Sequence, residues 1–326
     1  MGARLKRFTE TFNLRVQIDV HQHLWPEPLV AELARRREAP RVRRRREGWV
    51  VEVPGEPDAT VDLADHDADA RADLVRADGL DRAYVALSSP LGIEALPPDA
   101  ARPLLDAWHA GAAALPTELG AWAAPCLSEP DHEGLGVLLD DGFAGACLPA
   151  EALAGPAEFE RCGPMLQLLE ERGAALLIHP GPAPDTLRAN GIDNSIGPVP
   201  SWWPAATRYV AAMNAAWNAF AAFGRPAHPR LRVCFAMLAG LGPLHRERLL
   251  ARGGQPVADP DVFLDTSSYG PRAVDAVIRE LGVDALVYGS DRPVLPAAEP
   301  ALGEAVRVAL RSRNPARLLS LSEVTA

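Results

Sequence analysis

Short apolar runs recur along the chain and alternate with stretches of helical periodicity. The runs are rich in β-branched or small apolar residues, which is typical of strands buried on both faces. They lie at residues 16–24, 82–88, 120–127, 142–148, 174–180, 232–238, 262–268 and 285–291. Amphipathic stretches at residues 69–79, 164–173 and 271–282 lie between them, and the last two end in glycine, as helices commonly do.

This alternation predicts an α/β protein with a (β/α)8 TIM-type barrel. Eight strands with intervening helices are what a closed barrel of parallel strands requires. At about 150 residues per domain the length would also suit two domains, but a barrel of about 250 residues with insertions fits equally. We therefore expect one barrel domain over residues 1–326.

Two connections are too long for a plain barrel. The first, at about residues 24–64, carries the arginine-rich stretch RRREAPRVRRRR (35–46) and a possible extra strand, GWVVEVPG. The second, at about residues 181–230, follows strand five and carries the tandem Trp202-Trp203. Because loops after barrel strands lie at the catalytic face, both excursions are candidate lids.

Composition narrows the classes of function. The net charge is −10, the sequence pI is about 5.3 and Lys6 is the only lysine, so a nucleic-acid partner is not expected. For the same reason the arginine-rich stretch is interpreted as a solvated excursion rather than an anion-binding patch. The 4 cysteines are scattered without a CxxC pair, which suits a reducing compartment. With no secretory signal and no apolar run long enough to cross a membrane, we expect a cytoplasmic protein.

The candidate chemistry begins at Asp19-Val20-His21-Gln22-His23. Side chains two residues apart on a strand point to one side, so His21 and His23 can chelate one ion. Asp19 is expected to be an internal hydrogen-bond partner of this strand.

Two further ligand types follow other predicted strands. His179 ends strand five in LLIHPG, and Asp291 ends strand eight in VYGSDRP, beside strand one in a closed barrel. Three imidazoles and one carboxylate at one mouth suit a single divalent ion such as Zn, Mn, Fe or Co.

These segments resemble a known family. IDVHQHLWP, LLIHPG, PAHPRLRV and YGSDRP, in this order from about Val16 to Asp291, resemble the amidohydrolase-related (amidohydrolase 2) branch of the amidohydrolase superfamily, which includes aminocarboxymuconate-semialdehyde decarboxylase-like enzymes and lactone hydrolases. The resemblance implies a (β/α)8 barrel, one catalytic divalent metal that is usually zinc, and a homodimer. By position, His21, His23 and His179 would be metal ligands, and Asp291 would be both ligand and proton-transfer group.

One position departs from this pattern. The family usually has a histidine at the end of strand six, where Met237 stands in CFAMLAG. A thioether cannot transfer protons and is a soft metal ligand. Decarboxylation by the family's usual route would therefore lack the imidazole that this histidine supplies. His132, after strand three, is the first candidate to replace the missing imidazole. His66, His109, His228 and His245 are interpreted as solvated, capping or helix-face residues.

Substrate-binding candidates surround these ligands. Trp25 and Trp203 could wall an apolar or aromatic substrate, and Met237 would make one side of the pocket apolar. Arg292 could bind a substrate carboxylate, although a surface ion pair is the alternative.

Three functions follow from the sequence. The first is a metal-dependent hydrolase of an amide, lactone or related carbonyl bond, with Asp291 as general base. The second is a non-oxidative carboxy-lyase of a small aromatic or muconate-type acid. The third is a barrel with altered or lost catalysis, because Met237 replaces the usual histidine.

Overall fold

The computed structural model describes residues 16–46, 48–189, 199–256, 259–295 and 301–321. Its strands are β1 (Ile18–His23), β2 (Arg41–Arg45), β3 (Gly48–Glu52), β4 (Ala59–Val61), β5 (Arg82–Ala86), β6 (Leu119–Ala121), β7 (Gly145–Pro149), β8 (Ala175–His179), β9 (Arg232–Phe235), β10 (Val262–Asp265) and β11 (Leu286–Val287).

The helices lie between and after these strands. They are α1 (Glu27–Arg35), α2 (Ala68–Ala77), α3 (Pro98–Ala112), α4 (His132–Asp140), α5 (Pro156–Arg172), α6 (Pro184–Ala189), α7 (Trp203–Ala206), α8 (Arg208–Ala219), α9 (Arg225–Ala227), α10 (Arg246–Leu250), α11 (Pro271–Leu281), α12 (Glu304–Val308) and α13 (Asn314–Leu318). None of these described helices has the length and apolar character needed to cross a membrane.

The barrel strands form two parallel sets that join into one ring. Strands β1, β5 and β6 make the first set, and β7 to β11 make the second. The N–H of Ala123 donates to the carbonyl of Gly145 (2.8 Å), which joins the end of β6 to β7. The N–H of Val20 donates to the carbonyl of Tyr288 (2.9 Å), which joins β1 to the end of β11. The predicted (β/α)8 barrel is confirmed.

The strands divide their side chains between two layers, as period-two alternation requires. On β8, Ala175 and Leu177 face the barrel interior, whereas Leu176 and Ile178 pack with the outer helices. The interior cluster consists of Ile18, Val20, Tyr84, Ala86, Trp122, Cys147, Ala175, Leu177, Cys234, Phe263 and Val287, with Ala316 and Leu318 of α13 joining it. This packed layer supports whatever lies at the carboxyl ends of the strands above it.

The three helices predicted from periodicity are present, and one of them begins earlier than predicted. Residues 69–79 and 271–282 correspond to α2 and α11, and residues 164–173 are the second half of α5. Helix α5 begins at Pro156, eight residues before the predicted stretch, because Pro156 supplies a favourable first helical position and the interior Pro164 is tolerated.

The first excursion folds into a small antiparallel sheet of β2, β3 and β4. The predicted extra strand is β3, and the arginine-rich stretch forms β2 beside it. The side chains of Arg43 and Arg45 are about half exposed, as expected, but alternate arginines also pair with one carboxylate. The Glu52 carboxylate forms ion pairs with Arg41, Arg43 (3.8 Å) and Arg45 (2.8 Å).

The two excursions touch each other. Glu56, in the turn between β3 and β4, accepts a hydrogen bond from the Tyr209 hydroxyl (2.5 Å) and pairs with Arg208 of α8. The described part of the second excursion forms α6, α7, α8 and α9. Their role as lids remains a prediction.

The interior layer gives the first stability prediction. We expect Phe263→Ala to lower the free energy of unfolding by about 3–5 kcal/mol, because the buried ring leaves a cavity among rigid strands. Denaturant unfolding followed by circular dichroism measures the change. Val137→Ala, at a side chain that is 60 % exposed, is the control and should change stability by less than about 0.5 kcal/mol. Equal effects would contradict the assignment of Phe263 to the barrel core.

Candidate metal centre

Four buried side chains converge where the barrel strands end. His21 and His23 come from β1, His179 ends β8, and Asp291 follows β11; their nearest ligand atoms all lie within 4.8 Å of one another. The Nε2 atom of His23 lies 3.1 Å from Nε2 of His21 and 3.1 Å from Nε2 of His179. In the described part of the chain, this is the group of metal-ligand residues that the structure brings together.

A β-bulge in β1 aims both histidines inward. Ile18 and Val20 belong to the interior cluster, so an unbroken period of two would turn His21 outward. The pairing of β1 with β5 shifts by one residue between Asp19 and Gln22. That extra residue returns His21 and His23 to the inner side, as bulges beside functional sites commonly do.

Asp19 fixes the bulge. Its Oδ1 accepts hydrogen bonds from the N–H groups of His21 (3.0 Å) and Ser290 (3.1 Å), and its Oδ2 accepts from the side-chain amide of Gln22 (2.8 Å). The predicted role of Asp19 as an internal hydrogen-bond partner is confirmed.

Each imidazole uses its Nδ1 atom for a hydrogen bond away from the centre. The acceptors are Oδ2 of Asp265 for His21 (2.7 Å), the carbonyl of Ala86 for His23 (3.1 Å) and the carbonyl of Pro180 for His179 (2.8 Å). A proton on Nδ1 leaves the Nε2 lone pair facing the other rings, which is how ligand histidines are oriented. Lone pairs 3.1 Å apart repel unless a cation or an added proton lies among them.

Asp291 completes the cluster with a carboxylate. Its Oδ1 lies 3.3 Å from Nε2 of His23, and its Oδ2 accepts a hydrogen bond from the Ser268 hydroxyl (3.0 Å). Burial opposes ionisation of this carboxyl, but the three imidazoles hold the pKa of Asp291 well below its ordinary value. The backbone of Asp291 is left-handed (φ 61°), a strained conformation that its N–H bond to the His21 carbonyl (3.0 Å) maintains.

These residues fit one divalent ion. Three imidazole nitrogens and one carboxylate oxygen approach from different strands, and the three rings are nearly perpendicular to one another (81–88°). Such a donor set suits zinc, manganese, iron or cobalt.

Asp265 is the residue that the sequence reasoning missed. It ends β10 two positions after the interior Phe263, so strand alternation alone could have placed it at the mouth. Although burial disfavours the imidazolium, the Asp265 carboxylate raises the pKa of His21 to about 9. Asp265 therefore orients His21 and makes its imidazole a more basic ligand.

Met237 is tied to the same carboxylate through its backbone. Its N–H donates to Oδ1 of Asp265 (3.0 Å) and to the Ser267 hydroxyl (3.1 Å). It begins a left-handed turn, residues 237–241, in which φ is between +47° and +62° at every position although only Gly240 lacks a β-carbon. The hydrogen bonds to Asp265 and Ser267 therefore hold a strained turn beside the cluster.

The structure does not bring His132 to the cluster as a replacement for the histidine that Met237 displaces. His132 is exposed at the start of α4 and is outside the four-residue cluster. The interpretation of His66 as solvated or capping is wrong. It is buried, its Nδ1 accepts from the N–H of Trp25 (3.0 Å), and the two rings stack (centroids 4.6 Å apart). Burial lowers the pKa of His66 to about 4.

The remaining substrate-binding candidates differ in their surroundings. Trp25 is buried beside β1, and its indole N–H donates to the Ser88 hydroxyl (3.0 Å). Trp203 is 44 % exposed at the start of α7. The guanidinium of Arg292 pairs with Asp78 (2.7 Å), which supports the ion-pair alternative rather than carboxylate binding.

Comparisons with known proteins agree with this fold. No family model matches the sequence, and no curated protein matches it. Solved structures do match along nearly the whole chain. IDCase from Metarhizium anisopliae has a TM-score of 0.70 at 18 % identity, covering 94 % of this chain and 97 % of its own.

Two other similar structures are decarboxylases. The 2,6-dihydroxybenzoate decarboxylase from Rhizobium has a TM-score of 0.66 at 18 % identity and covers 94 % of this chain and 99 % of its own. The 5-carboxyvanillate decarboxylase from Novosphingobium aromaticivorans, solved with manganese, has a TM-score of 0.67 at 16 % identity. The match covers 98 % of this chain and 100 % of that one. At these identities the likeness shows a shared fold, and the resemblance drawn from the sequence is confirmed at that level.

We expect Asp265→Asn to weaken metal binding about 10–100-fold, because the amide cannot supply the charge that orients His21. Titration with Mn²⁺ or Zn²⁺ against a competing chelator measures the affinity. Asp275→Asn, on the exposed face of α11, is the matched control. Unchanged affinity in Asp265→Asn would contradict the role of this carboxylate.

We expect His179→Ala to reduce bound metal from one ion per chain to none without unfolding the barrel. The side chain belongs to the catalytic face, whereas stability resides in the layers below it. Elemental analysis gives the stoichiometry, and far-UV circular dichroism checks the fold. A folded variant that retains one ion would remove His179 from the ligand set.

Proposed function

We propose that the protein is a metal-dependent carboxy-lyase of the amidohydrolase-related kind that acts on a small aromatic acid. The observation that carries this proposal is the buried cluster of His21, His23, His179 and Asp291, with each Nδ1 hydrogen-bonded away from the centre. The similar decarboxylase structures favour a carboxy-lyase over the hydrolase that the sequence put first.

In this proposal the four residues hold one divalent ion, zinc or manganese. The bound ion would supply Lewis-acid stabilisation of charge on substrate oxygens. The protein contributes the orientation of its ligands, which Asp265 and the backbone carbonyls of Ala86 and Pro180 fix through the Nδ1 atoms.

Asp291 would transfer the proton. Its lowered pKa keeps the carboxylate ionised at neutral pH, so it is in the form that can accept a proton from a substrate hydroxyl or from water, and it would hold that proton only briefly before passing it on. In decarboxylation the bond to the carboxylate carbon breaks, its electron pair stays on the ring carbon, and carbon dioxide leaves. Asp291 then returns the proton to that ring carbon, while Ser268 holds its second oxygen in place.

The surroundings favour an aromatic ring. The four candidate ligands are at most 6 % exposed, so water is largely excluded from the centre. We infer that the side chains of Trp25 and Met237 form apolar parts of the substrate pocket. We infer also that Trp203, in the second excursion, contacts the substrate on the side away from the barrel. Arg292 is omitted from this set because Asp78 engages it.

A hydrolase remains the second candidate because of Met237. The position where the resemblance expects a histidine carries a thioether, and hydrolysis needs only Asp291 as general base. Carbonyl hydrolysis would use the same ligand cluster.

Product analysis separates the two candidates. The protein, loaded with Mn²⁺ or Zn²⁺, is incubated with an acid panel of 2,6-dihydroxybenzoate, 5-carboxyvanillate and a muconate-type acid, and with simple lactones. Release of carbon dioxide from the panel supports the carboxy-lyase. Lactone opening without carbon dioxide favours the hydrolase. A protein that binds no metal would contradict both and support the barrel with lost catalysis.

We expect Asp291→Asn to lower kcat about 10²–10⁴-fold on whichever substrate the wild type turns over, because the amide cannot accept a proton. Steady-state kinetics at saturating metal measures the loss, and Asp275→Asn again controls for a surface change. Full activity in Asp291→Asn would remove this residue from the mechanism.

A further inference from the structure

Glu94 lies at the barrel mouth on a loop that the proposed mechanism does not use. Two short turns, at residues 89–91 and 93–95, follow β5 and cross toward the ends of later strands. The Ser89 hydroxyl lies 3.9 Å from the sulfur of Cys147 on β7. Gly181 packs closely against Ser89, because a β-carbon added at Gly181 would lie only 2.7 Å from the β-carbon of Ser89. The carbonyl of Glu94 accepts a hydrogen bond from the N–H of Leu127 (2.7 Å), after β6.

This loop shares its strand ends with the metal centre. His179 pairs in register with Pro149, two residues beyond Cys147, and Gly181 follows His179 by two residues. Ser89 therefore contacts β7 and the loop that follows His179. The turn that carries Glu94 and the candidate ligands therefore lie at the same, carboxyl-terminal end of the barrel, and all of them are buried.

Only one oxygen of the Glu94 carboxyl has a hydrogen-bond partner among the described residues. Its Oε1 accepts a hydrogen bond from the Ser89 hydroxyl (2.8 Å), whereas its Oε2 is buried without a hydrogen-bond partner among the described residues. A buried carboxylate without a cation is disfavoured, so burial shifts Glu94 toward the neutral acid, partly opposed by its own backbone N–H and by the Ser89 hydroxyl. With the Ser89 hydroxyl donating to Oε1, Oε2 is the oxygen left to carry the proton of the neutral acid.

No neighbouring charge reverses this preference. Within the described part of the chain, no ion pair reaches Glu94 from α3 or α6, the helices that pack against its turn. Cys147, on β7, is the titratable neighbour, and burial together with Glu94 raises the pKa of its thiol, so it too is neutral. Burial raises the pKa of Glu94 to about 7.

We propose that Glu94 is a specificity-determining residue that donates a hydrogen bond from its protonated Oε2 to an oxygen acceptor on the substrate, such as a carbonyl, phenol or phenolate oxygen. This inference rests on the proposed function for the class of ligand. The acid form selects ligands that bear an acceptor on the side of β5, β6 and β7, and the ionised form would repel an anionic one.

The pH dependence follows in sign from the raised pKa. Below about pH 7 Glu94 is protonated and donates, and above it the carboxylate has no proton to give. We expect kcat/KM of the wild type to fall as pH rises through about 7. Glu94→Gln keeps a donor on the same side and an acceptor for Ser89, so this descending limb should be absent while affinity stays within about two-fold. Glu94→Leu should weaken binding about ten-fold.

The test combines infrared spectroscopy with binding of the acid panel. Infrared difference spectra of the metal-loaded protein between pH 5 and pH 9 should show a protonated-acid carbonyl band that titrates near neutral pH. Glu94→Gln removes this band, and Glu133→Gln, at an exposed position of α4, leaves it intact. Addition of a panel acid that binds should shift the band, because the ligand accepts the hydrogen bond.

Each arm has a result that overturns the proposal. A Glu94 that is already ionised at pH 5, or a band that does not move when a ligand binds, contradicts it, as does equal binding by Glu94→Gln and Glu94→Leu. If no panel acid binds the wild type, the proposed function fails on its own. In that case the infrared titration alone tests the inference about Glu94. A protonated Glu94 near neutral pH supports the inference, and an ionised Glu94 overturns it.

Discussion

The arrangement of the site depends on the crowding of three imidazoles at the barrel mouth. Their Nε2 atoms are 3.1 Å apart around His23, and hydrogen bonds at Nδ1 prevent the rings from turning away. A cation relieves the repulsion between the lone pairs, and the Asp291 carboxylate balances part of its charge. The affinity for a cation is thus built into hydrogen bonds that lie outside the ligand atoms themselves.

The barrel holds this crowded centre through local strain. The β1 bulge turns His21 inward, and left-handed backbone occurs at Asp291, at Ser268 and along residues 237–241. The left-handed positions follow the ends of strands, above an interior layer of packed apolar side chains. Rigid packing below is what allows unfavourable backbone conformations to persist at the mouth. Asp265 links two of them, because it bonds both His21 and the start of the left-handed turn.

The sequence predicted the features that depend on local periodicity. The alternation of apolar runs gave the barrel, and His21, His23, His179 and Asp291 stand where strand ends present side chains. It did not predict the bulge, since the spacing of two histidines is the same with or without an extra residue before them. Asp265, Glu94 and the stacking of His66 on Trp25 depend on which side chains meet across the fold, and spacing along one strand carries no such information. Arg292 was ambiguous for the same reason, because its partner Asp78 is 214 residues away.

The central claim is that one divalent ion is bound through the three Nε2 atoms and Asp291. Anomalous diffraction from crystals of the Mn²⁺-loaded protein tests it most directly. The account predicts a single anomalous peak per chain within bonding distance of Nε2 of His21, His23 and His179 and of an Asp291 oxygen, with Asp265 bonded to Nδ1 of His21 and not to the ion. A peak at any other group of residues, coordination through Nδ1, or the absence of a peak in the loaded crystals would contradict the account.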